Sequence, residues 1–238
     1  MQNIQRLSII VPAYNEDKTI RRIMDKILAV RYPVQTELIV VDDHSSDGTF
    51  EILQKLAQEL PPGRIRILRN EVNQGKGYSI RRGIETAGGD AFIIQDADFE
   101  YEPEDIPLLL TPLMRGEADV VYGSRFRGRF WPAGMALANM VANRFLTLLT
   151  NLLFFSRLSD METCYKLVKK SALAGIRLKT KRFDFEPEIT CKLIKKGIRI
   201  LELPIRYNGR TAREGKKIKA RDFFIAIAVL LRNRFSDA

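Results

Sequence analysis

Strand and helix signals alternate through residues 1–125, and no other feature constrains the fold more. Residues 7–11 are a short apolar run ending at Pro-Ala-Tyr-Asn-Glu, and residues 17–30 then place Ile20, Ile23, Met24, Ile27 and Leu28 on one helical face. Residues 37–41 are a β-branched run that stops at Asp42-Asp43. Asp47-Gly48 opens a helix carrying Phe50, Ile52, Leu53 and Leu56, and Pro61-Pro62-Gly63 breaks it. The pattern repeats as a strand over 64–68, a helix over 77–87, a strand over 91–94, a helix over 104–115 and a strand over 120–122. Each strand is apolar almost throughout, which predicts an α/β fold with a mostly parallel sheet buried on both faces by helices. Ligands of such sheets sit at the carboxyl ends of the strands. Those ends here carry Asn15-Glu16, Asp42-Asp43, Asp96 with Asp98, and Ser124-Arg125.

The pattern changes after Arg125. Residues 126–134 form a loop rich in Arg, Gly and aromatics, and 135–155 read as a long helix with a very apolar end. A strand is predicted over 164–168, a helix over 186–196, a strand over 199–203 stopped by Pro204, a basic loop over 207–219 and an apolar helix over 222–231. The formal net charge of +10 is unevenly spread. Residues 1–163 hold 19 Lys and Arg against 22 Asp and Glu, a balance of −3, whereas residues 164–238 hold 20 against 7, a balance of +13. The last third is therefore the anion-facing part. Two cysteines, Cys164 and Cys191, cannot build a disulfide framework. Residues 1–6 run directly into the first strand without a signal-peptide pattern, and no apolar run approaches the roughly 18–20 residues that span a bilayer. A cytoplasmic protein, soluble or peripheral, is expected.

Gln95-Asp96-Ala97-Asp98-Phe99-Glu100 is the sharpest chemical signal. Two carboxylates two residues apart at a strand end can approach one hard divalent cation. Mg2+ or Mn2+ prefers such oxygen ligands and keeps positions open for diphosphate oxygens. Asp-x-Asp also serves as a helix-start or loop motif; the buried strand before it and Glu100 beyond it favour the metal–diphosphate site. Acids at the neighbouring strand ends can accept hydrogen bonds from ribose hydroxyls and base N–H groups, with the Tyr14 ring beside a base. Asp47 reads as a helix cap, and the single histidine, His44, as a loop residue. Gly75-Lys76-Gly77 lacks the spacing of a P-loop, and no dinucleotide fingerprint follows the first strand.

Taken in order, Pro12-x-Tyr14-Asn15-Glu16, Asp42-Asp43-x-Ser45-x-Asp47-Gly48-Thr49, Gly75-Lys76-Gly77, Asp96-Ala97-Asp98 and Gly123-Ser124-Arg125 resemble a family 2 glycosyltransferase of the GT-A fold. The segments Asp160-Met161-Glu162-Thr163-Cys164-Tyr165-Lys166, 185–188 and Glu202-Leu203-Pro204-Ile205 are similar to the dolichyl-phosphate mannose synthase and polyprenyl-phosphate glycosyltransferase branch. The resemblance implies a catalytic domain over 1–220 followed by an amphipathic helix over 221–238. It implies a nucleotide-diphosphate sugar (GDP or UDP) lying on Pro12, Tyr14, Glu16, Asp43, Lys76, Asp96 and Ser124, with Asp96, Asp98 and Glu100 around Mg2+ or Mn2+. Branch members often have Gln at the place of Glu100. Asp96, Asp98 and Asp160 become the catalytic acids. A polyprenyl phosphate would attack the anomeric carbon with inversion. Its phosphate would meet Arg125, Lys166, Arg210, Arg213, Lys216 and Lys217, with Asn139 and Asn143 where relatives place a basic residue and a Ser.

Phe126, Phe130 and Trp131 among arginines, residues 146–155 and the Arg-flanked 223–231 look like interfacial elements or core helices. The first alternative implies peripheral attachment to the cytoplasmic face of an anionic membrane, or a membrane-protein partner. Three other readings remain: the same chemistry on a soluble or polysaccharide acceptor, a sugar nucleotidyltransferase, and a nucleic-acid binder. Residues 7–20 contain no Gly for the activating loop of a nucleotidyltransferase, and nucleic-acid binding leaves the carboxylates unexplained.

Overall fold

The first strand, β1 (Arg6–Ala13), has both faces buried, so its side chains are apolar in succession rather than in alternation. The computed structural model describes residues 4–210 and 220–236. After β1 come α1 (Ile20–Ala29), β2 (Gln35–Asp42), α2 (Thr49–Glu59), β3 (Ile65–Arg69), α3 (Lys76–Thr86), β4 (Ala91–Ile94), α4 (Ile106–Met114) and β5 (Val120–Ser124). The second part adds α5 (Leu137–Phe154), β6 (Lys166–Lys169), α6 (Phe185–Lys195), β7 (Ile200–Pro204) and α7 (Ala220–Phe235). Among the described residues, seven strands form one sheet in the order β3-β2-β1-β4-β6-β5-β7. Each element expected from the pattern is present, with ends shifted by a few residues.

One strand runs against the rest. β6 pairs antiparallel with both β4 and β5, through Ile93 opposite Leu167 and Tyr122 opposite Lys166. Its first residue therefore lies level with the carboxyl ends of its neighbours. The chain entering β6, residues 160–165, is delivered to the same rim as the chain leaving β1, β2 and β4. Ala13 lies opposite Asp42, and Asp42 opposite Arg69, so the first three strands end level.

The main core spans the sheet, from Ile20, Ile23, Met24 and Ile27 of α1 to Ile106, Leu109 and Leu110 of α4. A second apolar cluster joins Leu146 and Phe154 of α5, Cys191 of α6, and Ala226 and Leu230 of α7. The outer faces of these helices are not covered. Leu137, Val141, Phe145, Leu148 and Leu152 of α5 and Phe224, Ile225, Leu231 and Phe235 of α7 are exposed. Sequence reasoning expects no run able to span a bilayer. At 18 residues and a mean hydropathy of 1.2, α5 is nevertheless long and apolar enough by length and composition. Asn139, Asn143, Arg144 and Asn151 break up its apolar stretches, which is why the sequence shows no continuous run.

Candidate active site

A cavity of about 1020 Å³ opens at the carboxyl rim of the sheet. Pro12 and Tyr14 after β1, Asp43 after β2, and Asp96, Asp98 and Glu100 after β4 line one end. Lys76 from α3, Arg125 after β5 and Arg210 bring cations to it. Asn139, Val141, Asn143 and Phe145 of α5 and Phe223 and Phe224 of α7 form its other end. The opening thus runs from a charged floor to an apolar trough between two helices.

Lys76 reaches this floor because Gly75 and Gly77 let the start of α3 meet the backbone of 181–182. Gly77 and Tyr78 donate their N–H groups to the carbonyls of Arg182 and Lys181, at 3.1 and 3.0 Å. A Cβ at Gly77 would lie 2.7 Å from the Arg182 oxygen, and one at Gly75, where φ is +99°, would lie 2.5 Å from the Lys181 oxygen. Lys76 Nζ then sits 2.7 Å from Asp96 Oδ1 and 3.5 Å from Glu186 Oε1. Burial opposes the ammonium charge, but Asp96, Cys164 and Glu186 outweigh it and hold its pKa well above the usual lysine value. Burial likewise opposes the Asp96 carboxylate, and Lys76 beside it brings its pKa below the usual range.

Asp98 is held differently. Burial, with Asp96 close by, pushes its carboxyl up to about 7, against the pull of Arg210. Arg210 Nη2 lies 2.5 Å from Asp98 Oδ2 and Nη1 lies 3.6 Å from Glu16 Oε2. The backbone N–H of Arg210 donates to Glu100 Oε1 at 2.8 Å, and the Tyr207 hydroxyl donates to Glu100 Oε2 at 3.1 Å. A buried acid, Asp98, and a half-buried one, Asp96, each drawing a cationic side chain, suit a hard divalent cation. Among the described residues, no group of three or more His, Cys, Asp or Glu side chains is arranged to hold a metal. Asp96 and Asp98 therefore fit a cation that takes its remaining ligands from diphosphate oxygens or solvent.

Several residues singled out from the sequence play parts that the sequence did not show. Asp43 lines the cavity, yet its oxygens accept hydrogen bonds from Asn70 Nδ2 and from the backbone N–H groups of Gln74 and Gly75 at 2.7–2.9 Å. It shapes the loop leading into α3. Arg125 lines the cavity, whereas Asp160 lies behind it: Nε and Nη2 donate to the two Asp160 oxygens at 2.7 Å, and the Arg125 N–H donates at 2.9 Å. Ser124 is buried beneath the rim, its Oγ 2.7 Å from Ser159 Oγ. Lys166 is not brought to the cavity. It is fully buried, donates to the Met161 and Thr163 carbonyls, and lies 4.5 Å from the centre of the Tyr122 ring. Asn139 and Asn143 do line the cavity. Arg213, Lys216 and Lys217 lie outside the described residues.

The cavity also takes in Glu162, Cys164 and Glu186, which stand within the motifs with no role expected from the sequence. Their signal was the motif order alone. Only the reversed strand β6 places Glu162 and Cys164 at the rim.

Comparison with known proteins agrees with this architecture. The chain is 27% identical over 226 residues to the dolichol-phosphate mannosyltransferase of Pyrococcus furiosus, covering 92% of this chain and 61% of that protein. It is 28% identical over 213 residues to a UDP-N-acetylglucosamine–dolichyl-phosphate N-acetylglucosaminyltransferase of Methanococcus voltae, covering 83% and 84%. The chain thus spans about three-fifths of the Pyrococcus relative's length. The crystal structure of glucosyl-3-phosphoglycerate synthase from Mycobacterium tuberculosis with Mn2+, UDP and phosphoglyceric acid superposes with a TM-score of 0.72 at 19% identity. That match covers 98% of this chain and 80% of the other, and it shows a shared GT-A fold. A second structure of that synthase, with Mg2+ and UDP, gives 0.71 at 21% identity, covering 96% and 79%. The model of glycosyl transferase family 2 matches residues 8–177, and the chain belongs to that family.

Proposed function

We propose that the protein transfers a sugar from a GDP- or UDP-sugar to a polyprenyl phosphate at the cytoplasmic face of a membrane, with inversion at the anomeric carbon. One observation carries this reading: a single cavity joins the acid- and cation-lined strand ends to the apolar trough between α5 and α7. A nucleotide diphosphate suits the first end and an isoprenoid chain the second.

The base and ribose lie against Pro12, Tyr14 and Glu16, on the loop whose shape Asp43 fixes. Asp96 and Asp98 would hold Mg2+ or Mn2+, which supplies Lewis-acid stabilisation of the leaving diphosphate. Lys76 adds a fixed positive charge at the same place. The acceptor phosphate sits near Arg125 and Arg210, with Asn139 and Asn143 beside it. Asp160 holds the Arg125 guanidinium in one orientation, and Arg suits bidentate contact with phosphate. The second pKa of a phosphate is about 6, so the attacking oxygen is already ionised at neutral pH and needs little help from a general base. The exposed apolar side chains of α5 and α7 rest on the bilayer surface, with Arg127, Arg129, Arg232 and Arg234 meeting anionic headgroups or a membrane-protein partner.

The test is transfer of radiolabelled sugar from UDP-glucose, UDP-N-acetylglucosamine or GDP-mannose to undecaprenyl or dolichyl phosphate in detergent with Mn2+. A glycolipid product that requires the lipid phosphate is expected. Transfer to a soluble phosphorylated acceptor but to neither lipid would reject the acceptor assignment.

A further inference from the structure

The cavity floor holds two acids that the diphosphate and acceptor ends do not use. Glu162 belongs to the segment entering β6, and Glu186 to the first turn of α6. Both face the cavity. Glu186 is 5% exposed and touches Lys76 at 3.5 Å, while the shorter contact of Lys76 goes to Asp96. Oε1 of Glu162 is buried and has no hydrogen-bond partner among the described residues. A buried polar atom without a partner is costly, and a ligand that supplies one is correspondingly favoured.

The chemistry of that ligand is restricted. A phosphate would bring its charge against Glu186 as well as Glu162, an opposition that persists when Glu162 is protonated. An isoprenoid chain would leave Oε1 as unsatisfied as before. A hydroxyl group satisfies it in either protonation state, because a hydroxyl donates to a carboxylate and accepts from a carboxylic acid. Burial, and next Glu186, push the Glu162 carboxyl up to about 8, so at neutral pH it is available as a donor as well. Position agrees with chemistry: Glu186 contacts Lys76 at the diphosphate end, Glu162 lies close enough to Arg125 at the acceptor end to feel its charge, and the transferred sugar has to lie between those ends.

Resting on the transferase reading above, we propose that Glu162, with Glu186 beside it, binds hydroxyl groups of the donor sugar and selects which sugar is transferred. A sugar whose hydroxyls reach Glu162 gains hydrogen bonds that its epimer lacks. A site built to bond a hydroxyl discriminates strongly against a ligand lacking it, because the buried polar group is then left unpaired.

Calorimetric titration with Mn2+ tests this, using UDP-glucose, UDP-N-acetylglucosamine, GDP-mannose, UDP and GDP as probes. Glu162→Ala should weaken binding of the preferred sugar nucleotide by about tenfold, as expected for one lost hydrogen bond to a buried carboxyl. It should leave the matching free diphosphate within about twofold. Glu162→Gln, which preserves shape, should lose less affinity and narrow the preference among the three sugar nucleotides. Equal losses for sugar nucleotide and free diphosphate, or no loss with either variant, would overturn the sugar-binding role. Wild-type protein that binds none of the five probes would instead refute the transferase reading itself, so the two failures are distinguishable. A thermal melt of each variant within a few degrees of wild type shows that binding, not folding, has changed.

Discussion

Removing Asp160 measures what its buried ion pair with Arg125 contributes to stability. Its side chain is 0% exposed and that of Arg125 7% exposed. Three hydrogen bonds tie the two residues together. Asp160→Ala leaves a guanidinium and a backbone N–H buried without their acceptor. Breaking a buried pair by deleting one partner costs about 3–5 kcal/mol. At about 2–4 °C per kcal/mol for a chain near this size, the melting temperature should fall by roughly 6–20 °C. Arg125→Met combined with Asp160→Leu removes both charges, so most of that loss should return. The residual, about 1–3 kcal/mol, comes from the Arg125 N–H, which still lacks a partner. Urea unfolding followed by far-UV circular dichroism measures all three proteins, with an unchanged slope showing that the unfolded state is comparable. A loss below about 1 kcal/mol in Asp160→Ala, or a double variant no more stable than the single one, would refute the burial argument.

Further outcomes are expected elsewhere. Burial alone would raise the Glu37 pKa, but hydrogen bonds from Ser8, Gly88 and Gly89 and the charge of Arg6 hold it below its usual value of 4.5. Glu37 therefore adds stability that is full above the unfolded pKa and is lost as pH falls through the lower folded pKa. The urea-midpoint gap between wild type and Glu37→Gln should shrink from pH 7 to pH 3; a constant gap would refute this. Gly77→Ala should destabilise by about 1–3 kcal/mol despite the better helix propensity of Ala, since its Cβ would crowd the Arg182 oxygen. A thermal melt reads the sign, and a rise would show that the 181–182 backbone yields. Asp98→Ala should lower transfer by roughly 10²–10³ in excess Mn2+, the range for losing one group that stabilises charge in the transition state. Full activity would remove Asp98 from the reaction.

Most of the fold was legible because fully buried parallel strands leave an unbroken apolar signature, as in 91–94. The reversed strand was harder to read. β6 is four residues long and carries Lys at both ends, and nothing in its local sequence fixes its direction. The buried ammonium of Lys166 is stabilised by two carbonyls and a ring contributed by distant or irregular chain, so its side chain looked like a phosphate contact. The motif order marked Asp43 and Asp160 as belonging to the site. It could not say that their oxygens are already engaged by a loop and by Arg125, because those partners come together only through packing. Glu162 and Glu186 meet for the same reason.

The strand order also governs how the chain can reach this fold. β5 is made before β6, yet β6 lies between it and β4. During synthesis β5 has no neighbour on that side, and the edge of β4 stays open, until residues 166–169 emerge. A chain stalled or cleaved between the two strands presents apolar, unpaired edges, the template on which aggregates grow. Fragments ending after Arg125 should therefore precipitate, although they carry most of the motifs at the strand ends. The earliest soluble fragment should be one that includes β6, and it marks the smallest part of this enzyme family's architecture able to stand alone.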